Sequence, residues 1–378
     1  MKFFHISDLH LGKRIREHSM IEDQKHILNE IIRHAKKNNP DAILIAGDIY
    51  DRSVPPVDAV QLLDDFLVEL NALGITIFLI SGNHDSVERI AFGASFLQKS
   101  NIHIAQSYNG KITAIPVQDE FGQINIWMLP YLKPATVRPY FPNNEIITYS
   151  DALSTVLSNS GIDTTSRNIL LTHQFVTNAI PSESEELTVG NSENVDAYLF
   201  DDFDYVALGH IHKSQYIDKK TIRYCGTPLK YAVSEINHVK SITMVEVGIK
   251  NNVTISEIHL SPRREMRKIR GSYAEVTARK NYTNTKTDDY VYIILTDEED
   301  EPDAAIKLRN IYPNLLFLVY DNKRTHTSFL IDGASNLNRK SPVELFGELY
   351  ELQNGQIMSP MQEEYTRERF RAIWEGNI

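Results

Sequence analysis

The feature that most constrains this chain lies in its first 80 residues. Apolar runs at 2–7, 42–46 ("AILIA") and 74–80 ("GITIFLI") alternate with two amphipathic stretches. The first of these, 18–38, carries Ile21, Ile27, Leu28, Ile31 and Ile32 at helical spacing, and Pro40 closes it. The second spans 56–73. The order strand–helix–strand–helix–strand predicts a parallel sheet with helices packed on it, an α/β fold. Strands of such a sheet end on one edge, where ligands bind.

The pattern changes after about residue 100. Short strands such as "INIWML", "NILLT", "YVALG" and "SITMVEV" stand between turns, and predict a second, mixed sheet. Residues 1–262 are therefore expected to form one large α/β domain. A basic linker at 263–271 follows, then a small α/β unit at 272–335. Two amphipathic helices at 336–378 end the chain, with Ser341-Pro342 and Ser359-Pro360 as starts. At 378 residues two or three domains fit. No stretch is apolar enough to span a membrane, and "MKFFHISD" lacks the pattern of a signal peptide. Cys225 is the single cysteine, which excludes an intramolecular disulfide and suits a reducing cytoplasm. The sequons at Asn252 and Asn281 then have no bearing on function. A net charge of −11 argues against a surface coated in basic patches, but leaves room for a local basic groove.

Five apolar runs end in polar residues: "SDLH" (Asp8, His10), "GDIYD" (Asp48, Asp51), "GNHD" (Asn83, His84, Asp85), "LLTH" (His173) and "LGHIH" (His210, His212). Strand alternation predicts that Asp8 and His10 share a face, and likewise His210 and His212. Carboxylates, an amide oxygen and imidazoles without thiolate suit manganese, iron or zinc. Seven candidate ligands among these ten residues are too many for one tetrahedral ion and about right for two. A pair of ions roughly 4 Å apart can clamp a scissile phosphate and generate a nucleophile near neutral pH.

D-x-H, G-D, G-N-H-D, H and G-H-x-H in this order resemble the signature of the calcineurin-like metallophosphoesterases. "LPYLKPATVR", "SESEE", "RYCGTPLKY", "YVYIILTD" and "KLRNIYPNLLFL" are further similar to the SbcD family, nuclease subunits of the bacterial SbcC–SbcD DNA repair complex. The resemblance implies a sandwich of two mixed β-sheets flanked by helices, with a small α/β cap and C-terminal helices. It implies one metal on Asp8, His10, Asp48 and His212 and another on Asp48, Asn83, His173 and His210, with Asp48 bridging and Mn2+ preferred. His84 would stabilise phosphate charge or protonate the leaving oxygen, and Asp85 would orient its neighbours. The implied activity is metal-dependent cleavage of double-stranded DNA ends and hairpins, in repair, recombination and replication. The implied partner is an SbcC-type coiled-coil ATPase docked on the tail helices, in a heterotetramer holding a dimer of nuclease subunits.

Some relatives carry a second histidine where this chain has Asp51, which is expected to support its loop. Lys13, Arg14, Arg16, Arg263, Arg264 and Arg267 are candidate phosphate contacts. The eight histidines outside the motifs, from His5 to His326, read as structural or solvated, and Tyr224–Pro228 as a structural turn. The absence of G-x-x-x-x-G-K-[ST] leaves any ATP dependence to a partner. Two alternatives share these residues: a small-substrate phosphatase or cyclic-nucleotide phosphodiesterase, and a DNA-end scaffold with structural metals.

Overall fold

The computed structural model describes residues 1–183, 193–322, 341–354 and 357–374. His326, most of "SESEE" and 323–340 lie outside them.

The alternating code of the first 80 residues folds as expected. Strand β1 (Lys2–Ile6) leads to helix α1 (Ile21–Asn38), β2 (Ala42–Ala46), α2 (Val57–Ala72), β3 (Thr76–Ile80) and an edge strand β4 (Ile102–Ile104). β1 to β4 run parallel. Helix α1 starts three residues later than its apolar spacing suggests, because His18–Ser19 pairs with Arg14–Ile15 as a small hairpin. It ends at Asn39, whose φ of 45° is left-handed and whose N–H donates to Ala35 O.

The second sheet comes from β5 (Ala114–Asp119), β6 (Gly122–Leu129), β7 (Arg167–His173), β8 (Tyr205–Gly209), β9 (Gln215–Ile217) and β10 (Lys219–Tyr224). Its order is β9-β10-β8-β7-β6-β5, with both edge pairs antiparallel. The run "SITMVEV" does not join it. As β11 (Ser241–Val247) it pairs antiparallel with β1, and β12 (Val253–His259) pairs beyond it. The first sheet thus reads β12-β11-β1-β2-β3-β4 and is mixed as well.

The strands bury both faces, which is why their sequences are continuously apolar. Phe3, Leu44, Phe78, Ile126, Ile169, Tyr205 and Val245 meet between the sheets. Phe4, Ile43, Ile77 and Ile242 face α1 and α2 on one side, and Leu170, Val206 and Leu208 face helix α3 (Tyr149–Ser158) on the other. The layers are helix, sheet, sheet, helix. At one strand end Arg167 makes a two-pronged ion pair with Asp119 and donates to the carbonyls of Gly122 and Gly248.

The segment 263–271 is not a free connector. Met266–Gly271 is strand β13, parallel to β14 (Tyr290–Leu295), and β15 (Leu315–Tyr320) completes a three-stranded sheet. Met266, Tyr290 and Leu316 are buried in the cluster that contains α1. Met266 is buried while Lys268 and Arg270 point to solvent, so the run is a strand where the charges alone suggest a solvated link. The tail holds two helices, α4 (Pro342–Asn354) and α5 (Pro360–Trp374), which pack on each other through Phe346 and Phe370.

Candidate metal centre

All five polar strand ends meet on one edge, but the alternation argument misses how. β1 stops at Ile6 and β8 at Gly209. Asp8, His10, Asp48 and His210 lie beyond the strands with φ of 54°, 44°, 48° and 104°, the left-handed region that L-residues avoid. Their side chains converge through tight turns, not through extended backbone. The strain is held by backbone bonds across the two loops: Asp8 N–H to Gly47 O, His10 N–H to Asp48 O and Leu11 N–H to Ile49 O, at 2.9–3.0 Å.

Asp48 sits at the centre. Its Oδ2 is 3.4 Å from His173 Nε2, 3.8 Å from His10 Nε2 and 3.9 Å from His84 Nε2. His10 Nε2 is 3.1 Å from His212 Nε2, and Asp8, His10 and His212 bring donor atoms together on that side. On the other side Asn83 Oδ1 is 3.0 Å from both His173 Nε2 and His210 Nδ1. All the aspartates and histidines of this set except His84 are almost wholly buried. The grouping is therefore Asp8, His10 and His212 on one flank of Asp48, and Asn83, His173 and His210 on the other.

This donor set fits cations. His173 Nδ1 donates to Ala46 O at 2.8 Å, which aims the Nε2 lone pair at the oxygens of Asp48 and Asn83. Acceptors thus face acceptors. His10 Nε2 likewise faces His212 Nε2 at 3.1 Å and Asp48 Oδ2 at 3.8 Å, a crowding of buried acceptor atoms that costs free energy without a cation among them. Electrostatics agree. Burial works against ionised Asp48, but the imidazoles of His173, His10 and His84 outweigh it and hold its carboxyl below the usual range. Burial also opposes charge on His173, yet Asp48 pushes it up to about 9, so that without a cation a proton on Nε2 takes the place a cation would fill. Burial carries His210 down to about 3 and His10 well below the ordinary imidazole value.

Glycines make room for this crowding. A Cβ on Gly82 would collide with the Asp48 carboxylate and backbone, and one on Gly209 would collide with Ala46 O and stand 2.6 Å from His173 Nδ1.

His84 differs from the rest. Its Nδ1 donates to Asp51 O at 3.1 Å, its backbone N–H donates to Asp48 Oδ1 at 2.9 Å, and its ring is partly open to solvent. Asp85 faces inward and accepts from the backbone N–H of Ile49, Tyr50 and Gly82 at 2.9–3.0 Å. It clamps the two loops that carry Asp48 and Asn83, so it is a positioning residue. Asp51 ties Lys13 at 2.6 Å and stands 3.8 Å from His10 Nδ1.

The other basic candidates also have partners within the chain. Arg14 donates to Glu17 O, and Arg16 stacks over Phe317 at 3.9 Å. Arg263 pairs with Glu22, Arg264 with Asp23 at 2.8 Å, and Arg267 with Asp289 at 2.9 Å. Arg14, Arg16 and Arg263 remain exposed, whereas Lys13, Arg264 and Arg267 are half-buried. The Tyr224–Pro228 turn is structural: Thr227 N–H donates to His212 O at 3.2 Å, and burial pushes the Cys225 thiol far up, away from reactivity.

Three further neighbours of the centre escape the sequence pattern. Glu235 lies 3.2 Å from His212 Nδ1. Gln24 on α1 donates to His10 O at 2.7 Å and accepts from Gly12 N–H at 3.0 Å. Tyr231 donates to Leu9 O at 2.6 Å and lies edge-on to His10. None follows an apolar run, so only folding reveals them.

The calcineurin-like phosphoesterase family model matches residues 1–214, and one described as the type 5 capsule protein repressor C-terminal domain matches residues 262–354. The SbcD subunit of the SbcCD nuclease from Staphylococcus epidermidis is 36% identical over 324 residues, which is 84% of this chain and 85% of that protein. Among solved structures, a dimetal phosphatase from Danio rerio aligns over 69% of this chain and 98% of its own, at 10% identity and a TM-score of 0.38. Yfce, a phosphoesterase from E. coli, aligns over 69% and 100%, at 11% identity and a TM-score of 0.26. By its family match and its 36% identity across most of both chains, this protein belongs to the calcineurin-like phosphoesterases, in the branch of the SbcD nucleases.

Proposed function

We propose that the chain is a two-metal DNA phosphodiesterase, the nuclease subunit of an ATP-dependent DNA repair and recombination complex. The observation that carries this reading is the convergence of two donor groups on Asp48, with the half-open His84 beside them. Asp8, His10, Asp48 and His212 would hold one cation, and Asp48, Asn83, His173 and His210 the other; the mixed oxygen and nitrogen donors suit Mn2+. Bound divalent cations supply Lewis acidity, drawing charge from the phosphate and acidifying a water. The protein's own contribution begins with Asp48, whose charge balances both sides. His84 has its Nδ1 proton committed to Asp51 O, so Nε2 is the atom that would hold a proton for the phosphate or the leaving oxygen.

The family relationship supports an SbcC-type coiled-coil ATPase as partner, and the largely apolar groove formed by Phe346 and Tyr350 on α4, Met358 just before α5, and Met361 and Tyr365 on α5 supports helix-in-groove docking there. A dimer of nuclease subunits is proposed as well, with the exposed Val57, Phe92 and Phe96 as candidate contacts. Arg14, Arg16 and Arg263 are proposed to meet DNA phosphates, with the small sheet as cap. Lys13, Arg264 and Arg267 serve first to tie the fold. The lone buried thiol fits a cytoplasmic setting.

The test incubates the purified chain with Mn2+ and end-labelled duplex or hairpin DNA, with and without the ATPase partner. Cleavage is expected to fall by about 10²-fold or more in His84→Ala. Hydrolysis of a small phosphodiester without any DNA cleavage would replace this reading by a small-substrate enzyme.

A further inference from the structure

Glu235 and Lys240 form an ion pair at 2.5 Å with almost no exposure to solvent. Such a pair is a weak source of stability, because burying two charges offsets their attraction. Its surroundings give it another purpose. Glu235 Oε1 faces His212 Nδ1 at 3.2 Å, and Oε2 takes Lys240 and, at 3.3 Å, Thr227 Oγ1. Lys240 also donates to His212 O at 3.0 Å and to Thr227 Oγ1 at 2.6 Å, while Thr227 N–H donates to the same His212 carbonyl. Side chain and main chain of His212 are thus gripped by one network. The three other imidazoles of the donor set are held differently. His173 uses a backbone carbonyl, His210 Nδ1 faces Asn83, and His10 Nδ1 has no hydrogen-bond partner.

We propose that Glu235, fixed by Lys240, is a positioning residue that holds the proton of His212 on Nδ1 and keeps Nε2 as a cation ligand. A carboxylate behind an imidazole fixes its tautomer and raises its basicity. The cation held by Asp8, His10, Asp48 and His212 is then the more tightly bound of the two. This inference rests on the two-metal reading above.

The experiment titrates the metal-stripped full chain with Mn2+ by calorimetry and follows His212 in ¹⁵N-histidine NMR spectra. Glu235→Leu/Lys240→Met removes both charges without stranding either. It is expected to melt close to wild type, to lose 10–100-fold in affinity at one of the two sites, and to lose the fixed Nδ1–H signal. Glu235→Gln/Lys240→Met keeps an acceptor and is expected to lose less, at least threefold; it decides the matter if the first variant does not fold. Wild-type affinity and an unchanged His212 signal in either folded variant would overturn the proposal. A lower melting temperature with unchanged affinity would do the same, and would make the pair structural. A wild-type chain that takes up no Mn2+ overturns both this proposal and the metal reading beneath it.

Discussion

Four of the candidate donors combine a side chain aimed into the centre with a backbone conformation that side chains disfavour, and this pairing governs what the centre tolerates. Asp8, His10, Asp48 and His210 are held left-handed by the hydrogen bonds between their loops. Space is equally limited. Gly82→Ala would drive its methyl into Asp48, so we expect a loss of about 1–3 kcal/mol, measured by urea denaturation, together with weaker Mn2+ uptake in calorimetry. Unchanged values for both would show that the loop shifts freely. The seven donors and His84 are legible in the sequence because each follows an apolar run. Glu235 and Tyr231 are not, since their approach depends on chain reversals that no local pattern records. The alternation rule also names residues that do converge, but for a wrong reason: beyond Ile6 and Gly209 there is no strand to alternate.

The elements behave as carriers whose ends matter most. Helix α1 is legible from Ile27, Leu28, Ile31 and Ile32, all buried as their spacing predicts. Its polar first turn is not. Asp23 accepts from Arg264 at 2.8 Å and Tyr290 at 2.9 Å, and Gln24 holds His10 and Gly12. Gln24→Ala leaves the Gly12 N–H without its partner and takes from His10 O one of two donors, the other being Lys13 N–H, so we expect about 1–3 kcal/mol of destabilisation and weaker Mn2+ binding through His10, read by denaturation and calorimetry. Full Mn2+ affinity in the variant would mean that the His10 loop stands without it. β13 reads as a connector in the sequence because its charges mask the strand: Met266 is buried, Lys268 and Arg270 are exposed, and Arg267 and Ile269 stand half-buried. Likewise β11 lies far along the chain, yet pairs with β1; apolar content shows a strand but not its neighbour.

Across the whole molecule, the sandwich is legible as a class because its strands are apolar on both faces. Its register is not, since pairing between residues more than two hundred positions apart leaves no local trace. Asp119 and Arg167 fasten strands β5, β6 and β7 together, and Arg167 holds the Asp119 carboxyl well below its usual range. A depressed carboxylate contributes stability above its unfolded pKa of about 4 and loses it as pH falls toward the folded value. Asp119→Asn is therefore expected to lower the urea midpoint at pH 7, and to lower it less at pH 3. An equal difference at both pH values would show that the charge does not matter. The turn that joins Asp23 to Gln24 has a mechanical meaning of its own. Successive side chains on a helix point about 100° apart, so α1 satisfies both sets of partners in only one rotational setting. It acts as a keyed axle between the small sheet and the His10 loop: rolling it to free Arg264 and Tyr290 would also withdraw the amide that steadies His10.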